Sequence, residues 1–163
     1  KYPQVHFIFW GADFPYIYNH LPKGQWTYEK WVPYGSYKIK RCFLRSDINL
    51  CPLVDSEFNR SKSAIKWYEA SILRNPEATL AQRTSPYVDE IEDGETGLLY
   101  SDADEFAEKL GALIENADLR KRLGANAKRW MVQNRLYSET AKGHFEFLKE
   151  RRLATSYGLE QKG

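Results

Sequence analysis

Residues 47–71, DINLCPLVDSEFNRSKSAIKWYEAS, decide how the chain folds. The stretch opens on a short apolar strand over 48–54. Pro52 marks where regular pairing stops, because proline cannot donate to a sheet ladder. A polar loop follows, then an amphipathic helix over 63–73. Ile65, Tyr68 and Ile72 form its apolar stripe at +3 and +4 spacing. Ser63 or Ser61 suits its N-cap, and Asn75-Pro76 stops it. A strand, a loop and a helix in this order aim the free N–H groups of the helix start at an anion. Lys62, Lys66 and Glu69 fall at i, i+4 and i+7 and so share one helical stripe. Two cations by a helix start and one carboxylate further on suit an anionic ligand that bears hydroxyls, such as a nucleotide sugar. A carboxylate suits a diol because it only accepts and takes two O–H donors at once. The same spacing also fits a solvated helix face with a Lys66–Glu69 ion pair worth about 0.3 kcal/mol. No glycine-rich phosphate loop is present, which disfavours kinase or ATPase chemistry.

Upstream, VHFIFW (5–10) is a continuous apolar, β-rich run, typical of a strand buried on both faces. GADFP is a turn, 16–20 a short helix, and LPKG another turn. WTYEKWV (26–32) has strand composition, closed by Pro33 and Gly35. A short helix follows over 37–44. Downstream, 77–81 reads as a strand. SPYVDEI reads as a helical turn with Pro86 at its first position. EDGETGLLY is a tight turn with two glycines, leading to a strand at 98–100. From Ser101 the chain is helical. Asp102 and Glu105 fit a capping box, with Phe106, Leu110, Leu113 and Ile114 on the buried face to about 115. Asp118 caps a second helix with Leu119, Leu123 and Ala127 inward. Ser138 caps a third with Ala141, Phe145 and Leu148 inward.

Strands alternating with helices predict an α/β fold: a Rossmann-like parallel sheet with helices on both faces, plus C-terminal helices. Ligands of such sheets bind at the carboxyl ends of the strands. The loop 55–62 and the turns after Trp10 and Val32 are therefore expected to line one crevice. Residues 1–150 form one expected domain, and 151–163 a polar, frayed tail.

The 163 residues can bury a real core, with 42% apolar and 15% aromatic content. A net charge of +2 from scattered Lys and Arg gives no footprint for nucleic acid. No run of about 18 apolar residues is present, so no transmembrane helix is expected. No signal peptide is legible either, although peripheral membrane contact stays open. Cys42 and Cys51 read as reduced thiols of a cytoplasmic protein. With His6, His20 and His144 dispersed, they supply no metal-ligand spacing. The chain opens on Lys1 and its only methionine is Met131. It is therefore expected to begin partway through a larger protein.

Other constellations stay open between two readings. Glu92, Asp93 and Glu95 make either an acidic catalytic cluster or an exposed glycine turn. Trp26, Tyr28, Trp31, Tyr34 and Tyr37 make either a stacking platform or sheet and interface packing. Asp13, Asp55 and Glu57 are acid/base candidates that nothing ranks, so the catalytic residues stay unknown. No Ser/His/Asp or Cys/His arrangement is legible.

The blocks 47–71, NPEATLA (75–81), PYVDEIEDGETGLL (86–99) and DADEFAEKLGALIENADLRKRLGANAKR (102–129) occur in fixed order and spacing. Together they resemble the C-terminal half of a retaining glycosyltransferase of the GT-B type, in the group that includes sucrose- and glycogen-synthase-like enzymes. The resemblance covers residues 1 to about 150 and is strongest over 47–130. It implies one of two Rossmann-like domains that face each other across a cleft, this one holding the nucleotide-sugar donor. The family's signature is a pair of glutamates. The second binds ribose and matches Glu69. The first, near the donor sugar, matches Ser61, so this chain departs from the pattern there.

The resemblance further implies phosphate contacts from Lys62, Ser63, Ala64 and Lys66. It places Asn59, Arg60 and Ser61 near the sugar, and Val32 and Pro33 near the base. The family's first strand–helix unit, with its basic pair, and the acceptor-binding domain precede the point matched by Lys1. The implied function is donor binding for sugar transfer from a nucleotide diphosphate, in polysaccharide or glycoconjugate synthesis. No metal or cofactor is expected, and this half alone is expected to be inactive. The alternative is a non-catalytic Rossmann-like protein-interaction module.

Overall fold

The computed structural model describes residues 1–11, 15–43, 46–135 and 141–143; of Tyr18, Lys38, Ile39, Cys42 and Phe43 it describes the backbone. Asp13, the Ser138 cap and the tail 151–163 lie outside the described residues, as does all but 141–143 of the third C-terminal helix. The chain divides into two compact units, Lys1–Ser46 and Asp47–Gly163.

In the first unit, β1 (Phe7–Gly11) and β2 (Trp26–Lys30) pair in parallel, with Phe7 opposite Trp26 and Gly11 opposite Lys30. The short helix α1 (Pro15–Tyr18) stands between them, and α2 (Tyr34–Phe43) follows β2. The α2 helix starts three residues earlier than its apolar pattern predicts. Its first turn is set at Pro33, whose carbonyl accepts the Tyr37 N–H at 2.9 Å. The Trp10 ring meets Tyr37 edge-on at 5.2 Å, and Tyr28 Oη donates to the Gly11 carbonyl at 2.9 Å.

The second unit contains β3 (Ile48–Cys51), α3 (Glu57–Arg60), α4 (Ile65–Ser71), β4 (Ala78–Gln82), β5 (Leu98–Tyr100), α5 (Ala103–Glu115) and α6 (Ala117–Asn134). The strands form one parallel sheet in the order β3-β4-β5. Side chains alternate between its faces. Cys51, Ala81 and Leu99 point to one layer, where Ala64 and Trp67 meet Tyr87, Ile91, Ala127 and Met131. Ala78, Leu80, Leu98 and Tyr100 point to the other, against Leu113, Leu123, Phe106 and Leu110. Both faces are covered by helices, which is the expected Rossmann-like arrangement. The β4 sequence ATLAQ shows no polar–apolar alternation for that reason.

Trp67 is the largest fully buried side chain. Its indole Nε1 donates to the Thr96 carbonyl at 3.2 Å, and its ring lies 5.0 Å from that of Trp130. On the same unit α6 approaches the turn before β4 so closely that a Cβ on Gly124 would stand 2.5 Å from the Pro76 carbonyl oxygen.

Several expectations are corrected. The buried face of α4 is Ala64, Trp67, Ala70 and Ser71, whereas Ile65 and Ile72 are exposed. Over two helical turns both stripes satisfy the same periodicity, and the bulk of Trp67 decides between them. The α4 N-cap is Ala64, without a side-chain cap, while Ser61 caps the end of α3. The supposed polar loop therefore contains a helical turn of its own, started by Ser56. Segment 85–90, by contrast, forms the expected helical turn, with the Val88 N–H on the Thr84 carbonyl and the Ile91 N–H on the Tyr87 carbonyl. Asn116, not Asp118, caps α6, its side chain accepting the Leu119 N–H at 2.9 Å. Asp102 caps α5 as expected, but Glu105 reaches the Ser101 N–H instead of closing back on Asp102.

Trp67→Ala should cost about 3–5 kcal/mol in urea unfolding, the range for emptying a large aromatic site. Gly124→Ala should also destabilise, because its new methyl meets rigid backbone. A wild-type midpoint for either variant would contradict this packing.

Candidate functional site

The segment between β3 and α4 is built from local hydrogen bonds. Ser56 Oγ accepts the Asn59 N–H at 3.2 Å and starts α3. Asn59 Nδ2 donates to the Val54 carbonyl at 2.8 Å. Ser61 Oγ donates to the Glu57 carbonyl at 3.1 Å. The ammonium of Lys62 lies 4.4 Å from the Phe58 ring centroid, and Phe58 is 74% exposed. Lys62 therefore stands outside α4, and its expected stripe with Lys66 and Glu69 does not form. Only Lys66 and Glu69 share that helix.

Asp55 is the hub of this segment. Its carboxylate takes a two-pronged bond from Arg60, Nε to Oδ1 and Nη2 to Oδ2, both 2.7 Å. Oδ1 also accepts the Thr84 hydroxyl at 2.9 Å. Bonds from Arg60 and then Thr84 hold the Asp55 carboxyl down at about 2. Asp55 and Arg60 are both candidates by sequence, but their mutual bond and the part of Thr84 are not legible there, because 55 and 60 match no helical period and Thr84 lies on another loop.

The predicted site residues divide as follows. Asn59, Arg60 and Ser61 all sit together, but each already uses its side chain within the loop or on Asp55. Ser63 and Lys66 are exposed, while Ala64 is fully buried beneath them. Among the described residues, the backbone N–H groups of Ser63, Ala64, Ile65 and Lys66 have no acceptor, as expected for the start of a helix. Glu69 is half-buried on α4. Lys66 forms no ion pair among the described residues, so the ion pair to Glu69 is absent. In the other unit, Val32 is half-buried and Pro33 exposed. Beside them the aromatic cluster splits: Trp31 and Tyr34 are exposed, whereas Trp26, Tyr28 and Tyr37 are half-buried.

The acidic turn is structural. Gly94 holds φ at 85°. A Cβ on Gly97 would lie 2.9 Å from Ile91. Asp93 accepts the Leu99 N–H at 2.9 Å and pairs with Arg83 at 2.6 Å. Burial pushes its carboxyl up, and the Leu99 and Arg83 bonds outweigh it, leaving a net shift down. Glu105 pairs with Lys109 at 2.7 Å, and that bond with the Ser101 N–H brings its carboxyl down to about 2. Glu95 is taken by Arg122 and Asn126. On α4, burial and a bond to Glu90 raise the Tyr68 phenol to about 12, and Glu90 pairs with Arg135. Burial lifts the Cys51 thiol to about 11, which keeps it protonated and inert. Among the described residues, no group of His, Cys, Asp or Glu gathers to hold a metal ion. No described helix is long and apolar enough to cross a membrane.

A family model described as glycosyl transferase-like matches residues 1–143. No curated protein matches the chain. Among solved structures, HepE from Anabaena, in complex with UDP and glucose, aligns with a TM-score of 0.66 at 14% identity, covering 91% of this chain and 41% of its own. The chain thus spans less than half of that protein, and the likeness is one of fold. The C-terminal domain of a glycosyl transferase group 1 family protein (LpcC) from Francisella tularensis gives 0.46 at 15% identity, covering 80% of this chain and 87% of that one.

Asp55 and Glu105, both near 2, lie below the ordinary carboxylate values of 3.8 and 4.5. The unfolded chain therefore binds protons first on acidification. Their stabilisation is full above about pH 5 and is lost as pH falls from about 4.5 toward 2. The urea midpoint should drop across that window, and less steeply in Asp55→Asn. An identical slope in the variant would show that Asp55 is not linked to folding.

Proposed function

Because the chain belongs to the glycosyl transferase-like family, we propose that it is the donor-binding part of a glycosyltransferase, taking its sugar from a nucleotide diphosphate and serving polysaccharide or glycoconjugate synthesis in the cytoplasm. The observation that carries this reading is the start of α4. At the carboxyl end of a parallel strand, exposed Ser63 and Lys66 surround backbone N–H groups that lack acceptors, and Glu69 follows on the same helix. Such a helix start favours a diphosphate through its dipole and its free donors. Lys62 and Lys66 add positive charge, and the small, buried Ala64 lets the ligand approach the backbone. Glu69 accepts from the ribose hydroxyls. Asn59, Arg60 and Ser61 border the sugar, and Val32 and Pro33 the base. HepE, which shares the fold, is described in complex with UDP and glucose, so UDP and GDP are the first nucleotides to try.

No metal is needed in this reading. The leaving diphosphate is stabilised by donors and cations already fixed in place, which cost no reorganisation during transfer. Acceptor binding falls to a separate N-terminal domain, and this part alone transfers nothing. A second reading has one observation in its favour. Val54, Phe58, Ile65 and Ile72 expose apolar surface around the same segment, as a protein-interaction module would. Calorimetric titration with UDP, GDP and ADP separates the two: silence with all three supports the module.

Glu69→Ala should weaken the preferred nucleotide by about 1–3 kcal/mol, the cost of losing a charged hydrogen-bond partner. That corresponds to about 5- to 150-fold in Kd. Wild-type affinity in this variant would remove Glu69 from the ribose. Lys62→Ala should likewise weaken diphosphate binding, and unchanged affinity would leave that lysine without a phosphate role.

A further inference from the structure

The loop after β3 and the loop after β4 are tied together through one carboxylate. Asp55 holds both nitrogens of the Arg60 fork at 2.7 Å and the Thr84 hydroxyl at 2.9 Å. Thr84 is itself buried, so this bond anchors an exposed loop to a fixed point. Ser85 Oγ donates to Asp89 Oδ2 at 2.6 Å and lies 3.4 Å from the Arg60 carbonyl. An exposed ion pair adds little to global stability. Its effect here is geometric, because Arg60 closes α3 and leads directly into residues 61–64. A planar two-pronged bond fixes direction as well as distance. Arg60 is thereby held back on its own loop.

We propose that Asp55 is a positioning residue: by holding Arg60 and Thr84 together it presets segment 59–64 for the nucleotide-diphosphate donor. This rests on the donor reading above and adds to it a residue that touches no substrate. Preset contacts bind more tightly because less ordering is left to do on binding. Thr84 is the buried end of the tie, and Arg60 its exposed end. Arg60 thus acts through the loop, and its expected place beside the sugar is reached only by the loop it orders.

The test uses the full chain and three measurements on wild type, Asp55→Asn and Arg60→Gln: melting temperature, amide hydrogen exchange over 57–66, and titration with UDP, GDP and ADP. The expected result is that both variants lower Tm only slightly, exchange the 59–62 amides about tenfold faster, and bind the preferred nucleotide about tenfold more weakly. The double variant should be no worse than either single one, since both cut the same tie. A merely structural contribution would lower Tm and leave affinity, measured well below Tm, at the wild-type value. That outcome overturns the proposal and leaves the donor reading standing. A wild-type chain that binds none of the three nucleotides overturns the donor reading, and the proposal with it. If Asp55→Asn does not fold, Thr84→Val under the same three measurements decides, since it cuts the tie at its buried end and leaves Arg60 in place.

Discussion

Trp67 holds the Asp47–Gly163 unit together. Its indole fills the layer between α4, α6 and the sheet, and its one polar atom is satisfied by the Thr96 carbonyl. A buried aromatic of this size outweighs every surface contact on α4. It fixes the rotation of that helix, and with it which residues look outward. Lys66 faces solvent because Trp67 and Ala70 face in. The acidic turn serves the same end: its Thr96 carbonyl is Trp67's acceptor, and its shape depends on Gly94 and Gly97. The turn and α4 are thus parts of one packing solution.

The charge distribution follows the same division. Asp93, Glu95 and Glu105 are committed to Arg83, Arg122 and Lys109, where they fasten the turn before β5 to α6 and to the start of α5. Such clusters of opposite charge fix geometry at the rim of the sheet, and they leave little carboxylate free for chemistry. The cations at 62 and 66 differ. Lys62 rests on an exposed ring, and Lys66 meets no carboxylate among the described residues. A helix start flanked by uncommitted cations is electrostatically arranged for an anion.

Ser61 shows how a departure from a family pattern is absorbed. The resemblance expects a glutamate there. The structure instead gives Ser61 a local task, closing α3 through the Glu57 carbonyl. Asp55 then supplies the carboxylate of the loop, but spends it on Arg60 and Thr84 rather than on a ligand. The loop has gained internal order where a direct contact was expected, and the donor reading now depends on Glu69 and the backbone more than on side chains at 59–61.

Most of the architecture was legible because it rests on periodicities of adjacent residues. The expected strands 48–54, 77–81 and 98–100 overlap β3, β4 and β5, the first running three residues too far, past Pro52. The order of strands and helices implied a parallel sheet, and the stripe Phe106, Leu110, Leu113 announced α5. The family resemblance rested on the order of several blocks, which one sequence also contains. What the chain did not disclose were choices between equivalent local patterns and contacts between distant residues. Ile65, Tyr68, Ile72 and Ala64, Trp67, Ser71 are both helical stripes, and only packing against Trp130 and the sheet selects the second. Asn116 and Asp118 are both good caps, and the backbone of the α5–α6 turn selects the first. The bond from Thr84 to Asp55 joins residues 29 positions apart. Such contacts exist only after β3 and β4 pair and bring their loops side by side, which no local spacing records.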